Sequence, residues 1–491
     1  MSTTPSGPPN ESLKSEAPRG LPMFTKSDPA ALAKEKAELA DLAKGGVLKR
    51  WRWYFSRSGP GWMQSATTLG AGSAMASLFA GAYLQYDLLW VQPLAMILGI
   101  TMMMAISYQT LSTGVRPLSA MKTYISPVVG YLWVGASLLA TLIWHFPQYA
   151  LAGGMAEDMI NAATNYRGEN DPPSTALLLG IGAGILILAT TCVWNYSRGR
   201  KGIKIFEKTF KATIWMVLAA FAVVVVRLSI DGKIPWGKVW DGYTGFHIPK
   251  DDKGFTILMG ALSAAVGINM TFLFPYTLLA RGWGKAHRGL SRFDLLTGMF
   301  IPYAIATSLM VIVAGATLYD PAKWANTPMK ATEAAKMIEA SGLPTLFSRY
   351  VLGLGFVGMA FNGITMHMLV CGFAFCELFG IEPGGWKYRL ACLLPIPGVL
   401  GVLFWNKLGP WVGVPASAIC GILLPIAYIA FFILNNRKKY LKEDKPRGGL
   451  ALVWNIGMLI AIGVVTASAV YYIYMNRGFA GKIWTVLTGQ S

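Results

Sequence analysis

Gly59-Pro60-Gly61-Trp62-Met63-Gln64-Ser65-Ala66-Thr67-Thr68-Leu69 runs into Gly70-Ala71-Gly72-Ser73 and then into Ala74-Met75-Ala76-Ser77-Leu78-Phe79-Ala80-Gly81-Ala82. The stretch is apolar and long enough to cross a bilayer, which takes about 20 residues. Its centre, however, carries paired glycines, the residues that most weaken a helix interior. Unwound backbone at membrane depth survives only where protein buries it or a polar cavity meets it. An interrupted span therefore marks a substrate site, above all when a second one answers it in an inverted repeat. The segment from Gly267 to Pro275 is the candidate second interruption.

The remainder of the 491 residues has the same character, with 54% hydrophobic and only 14% charged. A soluble chain carries nearer a quarter charged residues. Apolar runs lie near 61–83, 88–111, 129–153, 175–196, 205–229, 256–280, 294–318, 348–376, 388–405, 410–434 and 451–475. They predict an all-α polytopic membrane protein of about eleven transmembrane helices. The five cysteines all fall inside these runs, without metal-ligand spacing to a histidine, and suit packing.

The net charge of +19 is distributed unevenly. Loops holding Lys49 to Arg57, Arg116 and Lys122, Arg198 to Lys204, Arg281 to Arg292, Lys387 and Arg389, and Arg437 to Arg447 are basic. The alternate loops mix signs. This alternation assigns the charge to cytoplasmic loops rather than to nucleic-acid binding, in a plasma or inner membrane. It puts the N-terminus inside and, with an odd number of spans, the C-terminus outside.

Residues 1–50 form a cytoplasmic extension: 1–26 lack a signal-peptide core and read as disordered. A helix then starts at Ser27-Asp28-Pro29 and ends at Gly45-Gly46. Residues 51–230 make a first five-helix unit, 255–436 a second, and 450–476 an additional helix. The loop 230–255 offers Trp236, Trp240 and Tyr243 to the membrane interface, and 328–342 reads as a short amphipathic helix. A GxxxxGK[ST] motif and paired catalytic side chains are both lacking, so neither an ATP-driven pump nor an enzyme is indicated, and no cofactor.

The run from Gly59 through Ala80-Gly81-Ala82 to Tyr86-Asp87-Leu88-Leu89-Trp90 resembles the first helix and following turn of the Nramp family of divalent-metal transporters. Gly114 to Tyr124, Gly202 to Lys208 with Glu207, and Cys376-Glu377-Leu378-Phe379-Gly380 resemble its second inner loop, fifth-helix entry and eighth-helix end. The resemblance covers roughly 59–436. It implies two inverted five-helix repeats, as in the amino-acid/sodium symporters, with broken helices 1 and 6. The family breaks its first helix at Asp-Pro-Gly-Asn, where this chain has Gly70-Ala71-Gly72-Ser73. It breaks its sixth at Met-Pro-His, which aligns here with Thr271-Phe272-Leu273, and its second sixth-helix histidine aligns with Leu278. Its third-helix acidic pair, linked to proton movement, falls near Trp144 to Gln148, where this chain has His145 and Gln148.

These replacements change the chemistry. A dication leaves water only if ligands replace its hydration shell, usually with carboxylate charge or soft sulfur. Gly70, Ala71, Gly72, Ser73, Asn269 and Thr271 form the expected substrate site, and none is acidic. The half-helix N-termini favour negative charge. The expected substrate is thus a small anion, zwitterion or neutral polar solute rather than a dehydrated transition metal. His145 and Gln148 are the candidate proton or substrate relay; the coupling ion is open. Each residue also has a plainer role: Gly70 and Gly72 in close helix packing, Ser73 and Thr271 bonded to their own backbone, His145 structural, and His367, Asn362 and Met270 in packing or interhelical bonds. Glu377 is expected to pair with a basic neighbour such as Lys387. Divalent-cation transport, as in the resembled family, and a non-transporting sensor or scaffold are the alternatives.

Overall fold

The computed structural model describes residues 29–42, 46–168, 171–196, 200–326, 331–340, 342–381, 383–403 and 413–475. The expected disorder of 1–26, the Ser27-Asp28 helix start and the Gly45 helix end lie outside them.

Two helices precede the membrane region, α1 (Pro29–Leu42) and α2 (Val47–Arg57). The first span is split into α3 (Pro60–Thr68) and α4 (Ala71–Leu84), followed by α5 (Val91–Thr113), the short α6 (Pro117–Tyr124), α7 (Pro127–Thr164), α8 (Thr175–Tyr196) and α9 (Arg200–Ile230). After the loop helix α10 (Trp236–Thr244) comes the second split span, α11 (Asp252–Ala264) and α12 (Ile268–Ala280). Then α13 (Arg288–Leu295) passes through a π turn into α14 (Ile301–Thr317), and α15 (Pro321–Asn326) and α16 (Ala331–Ala340) fill the next loop. The last spans are α17 (Leu352–Phe379), the segment from α18 (Trp386–Ala391) to Leu403, α19 (Gly413–Asn436) and, after α20 (Lys438–Leu441), α21 (Gly448–Met475).

Among the described residues, ten helices have the length and composition of membrane spans; the α3–α4 pair adds an eleventh, interrupted one. The chain is an all-helical, multi-pass membrane protein of two five-span repeats plus one helix, and each repeat opens with a broken span. The second break spans Ala265–Gly267, not Gly267 to Pro275. Pro275 sits inside α12, where it removes only one ladder bond, so it is no terminator there.

Packing brings the broken spans together. α4 lies against α11 and α14, and α7 against α17 and α12. The contact with α14 needs a glycine: a Cβ on Gly81 would stand 2.5 Å from the Val311 carbonyl oxygen. The 38-residue α7 is about 57 Å long at 1.5 Å per residue, almost twice the hydrocarbon thickness. Pro147 interrupts its ladder. Near its far end Glu157 accepts from Arg167 Nε at 2.7 Å, and Asp158 pairs with Arg349 at 3.6 Å.

At the opposite end, the Gly59 and Gly61 amides donate to the Asp294 carboxylate at 3.1 and 2.7 Å, tying α3 to α13. Arg281 pairs with Glu207 at 3.1 Å and donates to the Arg57 carbonyl at 2.7 Å. Glu377 pairs with Arg116 at 2.7 Å rather than with Lys387. The α5–α6 connection carries Arg116 to the buried Glu377 carboxylate, which needs a charge partner inside the fold.

Candidate substrate site

The first break is built from its own hydroxyls. Helix α3 stops at Thr68, and Leu69 and Gly70 carry the chain to α4. Ser73 Oγ donates to the Thr68 carbonyl at 2.6 Å and accepts from the Gly70 amide at 3.2 Å. It thus caps the end of one half-helix and the start of the other. The Ala71 amide donates to Gln148 Oε1 at 2.9 Å.

At the second break, Gly267 donates its amide to Met270 Sδ at 3.4 Å, and its carbonyl accepts from the Met270 amide at 3.0 Å. The orphan carbonyls at the end of α11 are taken from the other repeat. Thr68 Oγ1 lies 2.6 Å from the Ala265 carbonyl oxygen and 3.2 Å from that of Ala264. One threonine therefore ties the two breaks together.

Helices α7 and α17 close the site. Gln148 is wedged between the repeats: a Cβ on Gly70 or on Gly363 would fall 2.6 Å from its amide group. A Cβ on Gly72 would overlap the Trp144 ring. His145 and His367 face each other with Nδ1 atoms 3.4 Å apart, so one donates while the other accepts. Gly398 leaves room for the His145 ring, 2.6 Å from where its Cβ would be.

Between these elements lies a cavity of about 20 Å³. That is room for a water-sized species. Thr67, Thr68, Gly70, Gly72 and Ser73 line it from the first break; Ser263, Ala264, Gly267, Asn269 and Met270 line it from the second. Trp144, Gln148 and His367 complete the wall. None of these lining residues is Asp or Glu.

Of the residues expected at the site, Gly70, Gly72, Ser73, Asn269 and Gln148 meet at this cavity. Ala71 reaches it only through its amide bond to Gln148. Thr271 stands outside the lining: its hydroxyl donates to the Ile268 carbonyl at 2.6 Å and accepts from Trp133 Nε1 at 3.1 Å. His145 is one step removed, behind His367. Thr68, Ser263, Trp144, Met270 and His367 were not singled out as site residues by sequence. A methionine among 23 and a threonine in an apolar run carry no local signal; the break two residues past Thr68 is the cue that points to it.

A family model described as "Natural resistance-associated macrophage protein-like" (Nramp) matches residues 61–475. A relative from Populus trichocarpa named "Metal transporter Nramp2" is 24% identical over 183 residues, which is 37% of this chain and 31% of that protein. The match thus spans under a third of that relative's length. The structure is similar to that of the Eremococcus coleocola manganese transporter in complex with an aromatic bis-isothiourea substituted compound, with a TM-score of 0.67 at 15% identity, covering 88% of this chain and 89% of that one. It is also similar to MhsT in complex with L-phenylalanine, with a TM-score of 0.59 at 15% identity, covering 83% and 98%. At these identities the two structures speak for the fold alone.

Proposed function

The chain belongs to the Nramp family, and from that premise we propose that it is a secondary transporter that carries a small solute or ion, rather than a dehydrated transition-metal dication, by alternating access. The solute binds where the two broken spans meet. The observation that carries this reading is the neutral wall of the cavity. A bare dication near the bilayer midplane needs compensating charge, and hydroxyls, amides and imidazole supply none at neutral pH. The starts of α4 and α12 bring positive helix ends to this region and the ends of α3 and α11 bring negative ones, so the backbone offers a polar solute both amide and carbonyl ends without the net negative charge a dication needs. The volume of about 20 Å³ admits a monatomic or comparably small species in this conformation. Larger solutes require the walls to part.

His145, His367 and Gln148 form the relay of this reading. The two imidazoles share one hydrogen, and Gln148 links the cavity wall to the Ala71 amide. Gain of one proton by the pair would recharge the wall beside the solute.

One observation favours metal transport as the second reading. Met270 offers a thioether and His367 an imidazole to the same cavity, and these are ligands for soft or borderline cations. Uptake into proteoliposomes separates the two. The expected outcome is Mn²⁺ uptake no faster than in empty liposomes, with saturable flux of a small anion or neutral solute that Asn269→Ala abolishes. Saturable Mn²⁺ uptake lost in Met270→Leu would overturn the first reading and establish the second.

A further inference from the structure

Helix α2 reads Val-Leu-Lys-Arg-Trp-Arg-Trp-Tyr-Phe-Ser-Arg over residues 47–57, with four basic residues and no acidic one. Its helical spacing sorts these side chains onto three faces. Trp53, Tyr54 and Arg57 face the protein: Trp53 Nε1 donates to Glu38 at 3.0 Å, Arg57 reaches the same carboxylate at 3.1 Å, and the Tyr54 ring lies 5.5 Å from that of Phe293. Val47, Leu48, Trp51 and Phe55 form a second, apolar stripe. They are 62%, 82%, 57% and 45% exposed. Lys49, Arg52 and Ser56 lie between the two faces and are also exposed.

The occupant of the stripe follows from its level and its charge. The Trp51 ring is 6.0 Å from Phe293, and the Phe55 ring is 6.2 Å from Trp62. Phe293 and Trp62 stand at the same end of the seventh and first spans. Trp215 of α9, 55% exposed, lies 6.0 Å from Trp62. Trp51, Phe55 and Trp215 thus expose aromatic rings at one level, with the buried Trp62 packed behind Phe55 and Trp215, and exposed rings of this kind sit at the edge of the hydrocarbon layer. A short helix with an apolar stripe at that level, flanked by basic side chains, lies in the plane of the interface.

We propose that α2 lies in the headgroup layer, with Val47, Leu48, Trp51 and Phe55 at the acyl boundary and Lys49 and Arg52 binding anionic phospholipid. The basic face selects anionic over zwitterionic headgroups, and the apolar stripe fixes the depth.

Spin-label accessibility of the full chain in nanodiscs tests the placement. Leu48→Cys and Ser56→Cys are labelled in a Cys192→Ser background, since the other four native cysteines are buried. The expected result is a label at 48 reached by oxygen and shielded from aqueous nickel chelate, and a label at 56 open to the chelate. Equal chelate access at both positions overturns the proposal by showing the stripe in water. Shielding of position 48 from both reagents overturns it in favour of a second copy or another protein.

Lipid retention tests the charge. Native mass spectrometry of protein released from mixed phosphatidylglycerol and phosphatidylcholine nanodiscs should show preferential retention of phosphatidylglycerol. Lys49→Gln and Arg52→Gln should each weaken it by roughly fivefold. Unchanged retention in the double variant overturns the anionic-lipid role even if the depth result stands.

Discussion

At the scale of single residues, the site is held by short polar side chains that bond backbone. Thr68 is the chief of these, since its hydroxyl reaches carbonyls of the opposite repeat. Thr68→Val keeps the shape and removes the bond, leaving buried carbonyls unsatisfied at a cost of about 1–3 kcal/mol. We expect a lower unfolding temperature for the detergent-purified protein; an unchanged one would mean that another group caps α11. Gly72→Ala places a methyl group against Trp144, and overpacking of this kind costs about 1–3 kcal/mol. Its melting temperature should fall, and Trp144→Leu should restore it. The first break was legible from Gly70 and Gly72 taken with the family resemblance, and not from glycine pairing alone, since Gly153-Gly154 and Gly180, Gly182 and Gly184 run through the unbroken α7 and α8. Thr68, Met270 and His367 were not, because their role depends on which distant helix they meet. Thr271 reads as polar and near the break, yet Trp133 on α7 claims its hydroxyl.

At the scale of elements, the helix breaks follow from caps more than from breakers. Proline was a misleading guide at Pro275, whereas Gly267 and the capping bonds mark the true discontinuity. The same logic governs the start of α11, where Asp251 accepts the Gly254 amide at 2.8 Å and the Tyr83 hydroxyl at 2.9 Å. The Gly254 bond foremost, opposed next by burial and then reinforced by the Tyr83 bond, holds the Asp251 carboxyl below the usual range. A carboxyl depressed in the folded state stabilises the fold above its ordinary value, near 3.9, and that contribution fades as pH falls through the folded value. The difference in unfolding temperature between wild type and Asp251→Ala should be constant above about pH 5 and shrink below about pH 4. A difference independent of pH would assign the effect to packing alone.

At the scale of the molecule, eleven spans and their pairing into repeats were legible, because hydropathy and length report directly on the bilayer. Of the cavity, the parts given by Gly70, Gly72, Ser73, Asn269 and Gln148 were legible, whereas Thr68, Ser263, Trp144, Met270 and His367 were not, since the wall comes from four spans distant in sequence. The alternation of basic and mixed loops predicts sidedness. Lys250→Cys should react with an impermeant maleimide in intact cells, and Lys442→Cys only after permeabilisation; the reverse pattern would invert the orientation. Pro147 stands between His145 and Gln148, so α7 lacks a rung of its ladder at the depth of the cavity. The arm beyond it, residues 148–164, is about 25 Å long, and a pivot of about 10° there sweeps its tip by about 4 Å. Glu157 and Asp158, about 15 Å along that arm, would move by about 3 Å, and they are clasped by Arg167 and Arg349. A pivot at the depth of the cavity would thereby be felt as strain in these two ion pairs, which couple the middle of the helix to its far end.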